Sequence, residues 1–98
     1  MPAYLIADTR KLPDADQTPY EEYRRRVGAS IAEAGGRFLV RSDQLEVVEG
    51  EWRPAWLVVI EFPSREALRG WYDSRDYQEL KALRLRSTEG DMVFAEGV

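Results

Sequence analysis

The sequence predicts an α+β domain: one antiparallel sheet with two helices packed on a single face. Three observations carry this. Strand-like runs rich in β-branched and aromatic residues fall near residues 3–9, 37–41, 55–62 and 92–98. Two other segments, 18–34 and 64–86, repeat apolar residues at helical spacing. Glycine and proline punctuate the joints between them. The order is therefore β-α-β-β-α-β, the split βαβ or ferredoxin-like arrangement.

Ala3 to Thr9 alternates as a strand, with Tyr4 and Ile6 on one side and Leu5 and Ala7 on the other. The polar stretch RKLPDADQ follows as a loop. In TPYEEY, Thr18 is the expected cap, Pro19 suits the first helical position and Glu21 completes a capping box. Tyr20, Tyr23, Val27, Ile31 and Ala34 form one buried stripe, and Gly35-Gly36 ends the helix. RFLVR is the second strand, with Phe38 and Val40 expected on one side and Leu39 on the other. SDQ reads as a turn, LEVVE (45–49) as a short strand or strand extension, and GEWRP as a break. AWLVVIEF (55–62) is the strongest strand in the chain. Ser64 then caps a helix with Glu66 in its first turn. Ala67, Leu68, Trp71 and Tyr72 share a face, and Asp73-Ser74 interrupts the pattern. A new helical run to about Arg86 turns Tyr77, Leu80 and Leu83 or Arg84 inward. TEGD reads as a turn, and MVFAEGV closes the chain as a strand.

With 98 residues, the chain suits one domain, 1–98, with a single core. Hydrophobic residues at 44% and charged residues at 33% give a globular balance. Lys plus Arg is 14 against 18 for Asp plus Glu, a net charge of −4, which argues against nucleic acid as a partner. The cluster Arg24-Arg25-Arg26 has Glu21 and Glu22 four residues before Arg25 and Arg26, the pattern of a solvated helix face. The chain has neither Cys nor His. Disulfides, thiolate nucleophiles, Ser-His-Asp triads, haem ligation and the usual zinc and iron sites are thereby excluded, and no metal or cofactor is expected. Without a signal-peptide pattern or a membrane-length apolar run, a soluble cytoplasmic protein is expected.

Two helices cover one face of a four-stranded sheet, yet apolar residues stand on both. In the strongest strand Trp56, Val58, Ile60 and Phe62 face one way and Leu57 and Val59 the other. Met92 and Phe94 similarly oppose Val93 and Ala95. Burying several hundred Å² of such surface stabilises by on the order of 10 kcal/mol before association costs. A second copy covering the open face in a two-fold homodimer is the simplest expectation. The alternative is a monomer whose loops fold over the sheet.

In order along the chain, YEEYRRRV, GGRFLVR, VVEGEW, LVVIEFPSREALRGWYDSRDYQELKALR and FAEGV resemble the domain of unknown function 1330 family, of the dimeric α+β barrel group. The resemblance spans nearly the whole chain. It departs at RKLPDADQT, which looks longer than usual, and at Ser42-Asp43, where a glycine pair is more familiar. It implies a ferredoxin-like homodimer joined through its sheets, and no settled activity. Relatives in the wider barrel group include cofactor-free monooxygenases, isomerases and decarboxylase-like enzymes, an analogy of fold alone.

The candidate ligand-binding residues are Tyr23, Arg41, Tyr72 and Tyr77. Tyr23 lies on the inward stripe of the first helix, and the break at Asp73-Ser74 lets Trp71, Tyr72 and Tyr77 converge near the sheet. Trp71 suits core packing, whereas packing and ligand binding fit Tyr72 and Tyr77 equally. Arg41 could hold a carboxylate or enolate through its guanidinium fork, or pair with Glu49 or Glu61, the role slightly favoured. Asp8 is the candidate catalytic base, a carboxylate on the side of Tyr4 and Ile6 that an apolar cleft would tune. The expected function is binding of a small anionic or aromatic metabolite between sheet and helices. Catalysis would draw on carboxylates, tyrosines, arginine and desolvation. The alternative is a non-catalytic dimerisation or regulatory module with no ligand.

Overall fold

A computed structural model describes all 98 residues. The elements are β1 (Ala3–Lys11), α1 (Thr18–Glu33), β2 (Arg37–Ser42), β3 (Leu57–Phe62), α2 (Arg65–Asp73), α3 (Arg75–Ser87) and β4 (Thr88–Glu96). The four strands form one antiparallel sheet in the order β2-β3-β1-β4. This is the expected ferredoxin-like α+β fold, with the second helical segment split in two. No helix is long and apolar enough to cross a membrane.

Local chemistry sets each boundary. The entry to α1 differs from the expected capping box. Asp16 Oδ1 accepts the Thr18 N–H at 2.9 Å, so the turn before the helix is closed by Asp16 and Thr18 is already helical. Gly35, with φ 83°, ends α1 in the left-handed conformation that glycine tolerates. Ser64 caps α2 as expected, its Oγ accepting the Ala67 N–H at 3.1 Å. Ser74 acts on two helices. Its Oγ donates to the Trp71 carbonyl at 2.7 Å, closing α2, and accepts the Tyr77 N–H at 3.1 Å, capping α3. Its extended backbone (φ −63°, ψ 150°) provides the bend between them.

The core lies between the helices and one sheet face. Ala3, Leu5 and Ala7 of β1, Ile60 and Phe62 of β3, and Val27, Ile31, Leu68, Trp71, Tyr77 and Leu80 of the helices are buried together. The other face carries Tyr4, Ile6 and Asp8, with Leu57, Val59 and Glu61 beside them on β3 and Val93 and Ala95 on β4. Val93 is 58% exposed there.

Three local expectations are corrected. TEGD is the start of β4 rather than a turn, because Thr88 to Asp91 pair with Lys11 to Asp8. Glycine is needed at position 90, where a Cβ would run into the Asp8 carbonyl oxygen. LEVVE makes no strand: the β2–β3 pairing stops at Ser42 opposite Leu57, and residues 43–56 leave the sheet. Finally, the pairing of β2 shifts between Phe38, opposite Ile60, and Val40, opposite Val59. Leu39 is the extra residue of a β-bulge. Phe38 and Val40 therefore face opposite ways, and Arg41 joins Phe38 on the helix side.

Gly36 marks where α1 and β2 meet the core: a Cβ there would stand 2.8 Å from both Ile31 Cγ2 and Phe62 Cε1. Gly36→Ala should cost about 1–3 kcal/mol by overpacking, lowering the Tm by roughly 5–20 °C in thermal denaturation followed by circular dichroism. An unchanged Tm would mean that this junction is looser than described.

Candidate functional site

A cleft of about 60 Å³ lies between the helix-side face of the sheet and helices α1 and α3, room for roughly four waters. Its walls are mostly apolar: Leu5, Val58, Ile60 and Met92 from the sheet, Val27 and Ile31 from α1. Its polar groups are Thr9, Tyr20, Tyr23, Arg24, Arg41, Tyr77 and Arg84. No carboxylate lines it. Thr9, Tyr20, Arg24 and Trp56 also border an open vestibule of about 440 Å³, so the narrow slot has a wide mouth.

Helix geometry brings two of the candidate tyrosines together. Tyr23 comes down from α1 and Tyr77 from the first turn of α3, and their hydroxyls share a hydrogen bond at 3.1 Å. Behind them Trp71 stacks on Tyr77 with ring centroids 4.1 Å apart, and its indole N–H donates to Ser30 Oγ at 3.1 Å. Trp71 thus has a satisfied polar tip in the core, the role its position suggested. Burial pushes the Tyr23 phenol well above the ordinary tyrosine range, with Tyr77 adding to the shift through its charge and its hydrogen bond.

The bulge at Leu39 delivers Arg41 to the same cleft. Its guanidinium carbon lies 4.5 Å from the centre of the Phe38 ring. The expected pairing with Glu61 does not form: Arg37 Nε takes Glu61 Oε1 at 2.9 Å, and the Tyr4 hydroxyl donates to Oε2 at 3.1 Å. Arg41 has no carboxylate partner. Tyr72 lies outside the cleft. It packs on Trp71, Tyr77 and Phe94, with Arg69 and Lys81 near its ring, and borders a shallow surface depression with Phe94 and Met92.

Asp8 stands on the opposite face of the sheet from Tyr23, because β1 directs Leu5 and Ala7 to the helices and Tyr4, Ile6 and Asp8 away. It is only 3% exposed. Its Oδ1 accepts the Ala55 N–H at 2.9 Å, and its Oδ2 accepts the Trp52 indole at 3.2 Å and Arg10 Nη1 at 2.8 Å. These bonds fasten residues 43–56 across the open face near Ile6 and Val93, where Trp52 borders a depression. The carboxylate thus neither reaches the cleft nor shares it with Tyr23, and its bonds are those of a structural clasp. No group of three or more acidic side chains converges to hold a metal ion.

Arg84 was the group the sequence reading left without a role. It turns inward from α3 into the cleft, and its Nε is buried without a hydrogen-bond partner. Burial lowers its guanidinium pKa, but the Tyr77 and Tyr23 phenols beside it raise it by more, leaving it above the ordinary range. Its place one turn beyond Leu80 on the inward face of α3 was the available signal.

The fold is that of small ferredoxin-like α+β proteins. The chain belongs to the family described as Domain of unknown function (DUF1330), matched over residues 2–98. A protein of unknown function from Rhodopseudomonas palustris has the same fold at 17% identity, with 99% of this chain and 82% of that chain covered and a TM-score of 0.80. SnoaB, a cofactor-independent oxygenase from Streptomyces nogalater, is similar at 10% identity, with 99% and 93% covered and a TM-score of 0.66. A dimeric ferredoxin-like protein of unknown function from Bacteroides fragilis follows at 13% identity, 98% and 96% coverage and a TM-score of 0.55. No curated protein is similar to the chain in sequence.

The burial of Tyr23 has a consequence for alkaline stability. Its folded pKa lies above its unfolded value of about 10, so the native state keeps a proton that the unfolded chain loses. That contribution is complete below pH 10 and falls as pH rises through and beyond it, by up to about 1.4 kcal/mol per pH unit. Denaturant unfolding between pH 9 and 11 should show a shallower loss of stability for Tyr23→Phe than for the unaltered chain. Equal slopes would contradict the burial of this phenol.

Proposed function

We propose that the protein is a homodimer that binds a small anionic or aromatic molecule in the cleft between its sheet and helices α1 and α3. The observation that carries the binding reading is the lining: apolar walls, tyrosine hydroxyls and three arginines, with no carboxylate to neutralise them. Such a site favours a flat apolar body carrying negative charge. Because the cleft lacks an Asp or Glu and the Tyr23 phenol resists ionisation, proton abstraction by a protein base is no part of this reading. Chemistry there would rest on desolvation and on stabilisation of a substrate's own anion by arginine and tyrosine donors. The fold likeness to a cofactor-independent oxygenase is compatible with that and reaches no further than fold.

The homodimer rests on the open sheet face. Residues 43–56 cover part of it through Asp8, yet Val93 stays 58% exposed beside Ile6, Val59 and Ala95. Similar folds from Bacteroides fragilis and Thermobifida fusca are dimeric, which supports a second copy as the partner. A second reading has its own support. Tyr23 and Tyr77 satisfy each other, Trp71 is satisfied by Ser30, and the slot is narrow, as a ligand-free dimerisation module would have it.

Thermal-shift measurements against small carboxylic acids and phenols separate the two. A ligand at 100 times its Kd should add about 2.7 kcal/mol, or roughly 10–20 °C in Tm. A flat response across such a set would leave the ligand-free module. Sedimentation velocity at micromolar concentration should give twice the chain mass of 11.3 kDa, and Val93→Asp, on the open face, should shift the population toward monomer. A single-copy species for the unaltered chain would overturn the dimer.

A further inference from the structure

The polar groups at the Tyr23–Tyr77 end of the cleft leave hydrogen-bond donors over. Two phenol protons serve one hydrogen bond between Tyr23 and Tyr77, so one O–H has no acceptor in the pair. The Arg84 guanidinium lies against the Tyr77 hydroxyl, and its Nε is buried without an acceptor of its own. Buried donors without partners are uncommon in native proteins and call for an explanation. The cleft supplies no carboxylate, and Arg84 forms no ion pair elsewhere. The other two arginines of the lining are differently placed. Arg41 lies over the Phe38 ring, and Arg24 lies 5.9 Å from the centre of the Tyr20 ring and 5.4 Å from that of Trp56, at the border with the vestibule. Both are exposed. One half-buried positive charge without a carboxylate partner thus faces the slot.

Resting on the binding reading above, we propose that Arg84 is the anion anchor of the cleft and that the ligand is a monocarboxylate with a small or flat apolar body. Charge matching selects a monoanion, since the one half-buried guanidinium neutralises one negative charge and a phosphate dianion would leave a second one in the slot. Geometry selects the carboxylate. The Nε edge of a guanidinium presents two parallel N–H groups, which fit its two oxygens as a fork. The spare phenol proton of the Tyr23–Tyr77 pair donates to one of the same oxygens. The apolar body lies against the walls formed by Val58, Ile60 and Met92, and a longer one reaches past Trp56 into the vestibule.

Isothermal titration calorimetry with benzoate and butyrate, each beside its neutral amide, tests this on the unaltered protein and on Arg84→Gln and Arg84→Lys. At least one acid should bind the unaltered protein tenfold or more tightly than its amide. Arg84→Gln should bring that acid down to the level of its amide, while Arg84→Lys should retain part of the preference. Arg25→Gln, on the exposed side of α1, should change nothing. Equal binding of acid and amide, or a preference that survives Arg84→Gln, would overturn the carboxylate anchor and leave the binding reading standing. Failure of acids, amides and phenols alike to bind the folded protein would overturn both. Should Arg84→Gln prove unfolded by circular dichroism, the acid-to-amide ratio on the unaltered protein and on Arg84→Lys decides.

Discussion

One serine side chain sets the geometry on which the cleft depends. Ser74 Oγ closes α2 on the Trp71 carbonyl and opens α3 on the Tyr77 amide, so a single hydroxyl fixes the bend between the two helices. That bend puts Trp71 and Tyr77, six residues apart in sequence, with ring centroids at 4.1 Å. Tyr77 in turn meets Tyr23, which ties α3 to α1. With the start of α3 placed, its inward face continues through Leu80 and carries Arg84 into the space between the helices and the sheet. In a continuous helix over 65–87, Trp71 and Tyr77, six residues apart, would point about 120° away from each other.

The sheet contributes through an irregularity of its own. Strict alternation along β2 would send Arg41 to the face opposite Phe38. The extra residue at Leu39 turns it back, so the edge strand delivers a cation to the helix side. On the other face the electrostatics reverse. There Asp8 is buried among donors and holds residues 43–56, Arg37 holds Glu61, and the charges are compensated. The molecule thus keeps its buried acid on one side of the sheet and its uncompensated arginines on the other. This asymmetry is the physical basis for reading the cleft as an anion site.

Periodicity made most of the fold readable. The stripe Tyr20, Tyr23, Val27 and Ile31, the run LVVIEF and the Ser74 break all stand where their spacing implies, because local pattern and tertiary packing agree there. The site was less readable. Tyr23, Arg41 and Tyr77 meet in the cleft, but Arg41 does so only through a bulge that alternation does not reveal. Tyr72 converges with Trp71 and Tyr77 across the Ser74 break, its ring centroid 5.3 Å from that of Tyr77, yet it packs against Phe94 on the side away from the cleft. Asp8 was placed by strand alternation on the correct side of β1, but which side the helices cover depends on contacts between distant elements. Arg84 was one of two residues, with Leu83, that the spacing could turn inward, and the unpartnered Nε in the cleft is what singles it out.

The central claim is that this cleft receives a small anion. Nuclear magnetic resonance of the isotope-labelled protein, titrated with benzoate and butyrate, observes it at the atoms concerned. The arginine side-chain Nε–H signal of Arg84 and the backbone amides of Tyr23 and Tyr77 should shift together and saturate, while signals from exposed Arg25 and Arg53 stay in place. Shifts confined to exposed arginines, or linear and unsaturated at all sites, would contradict it.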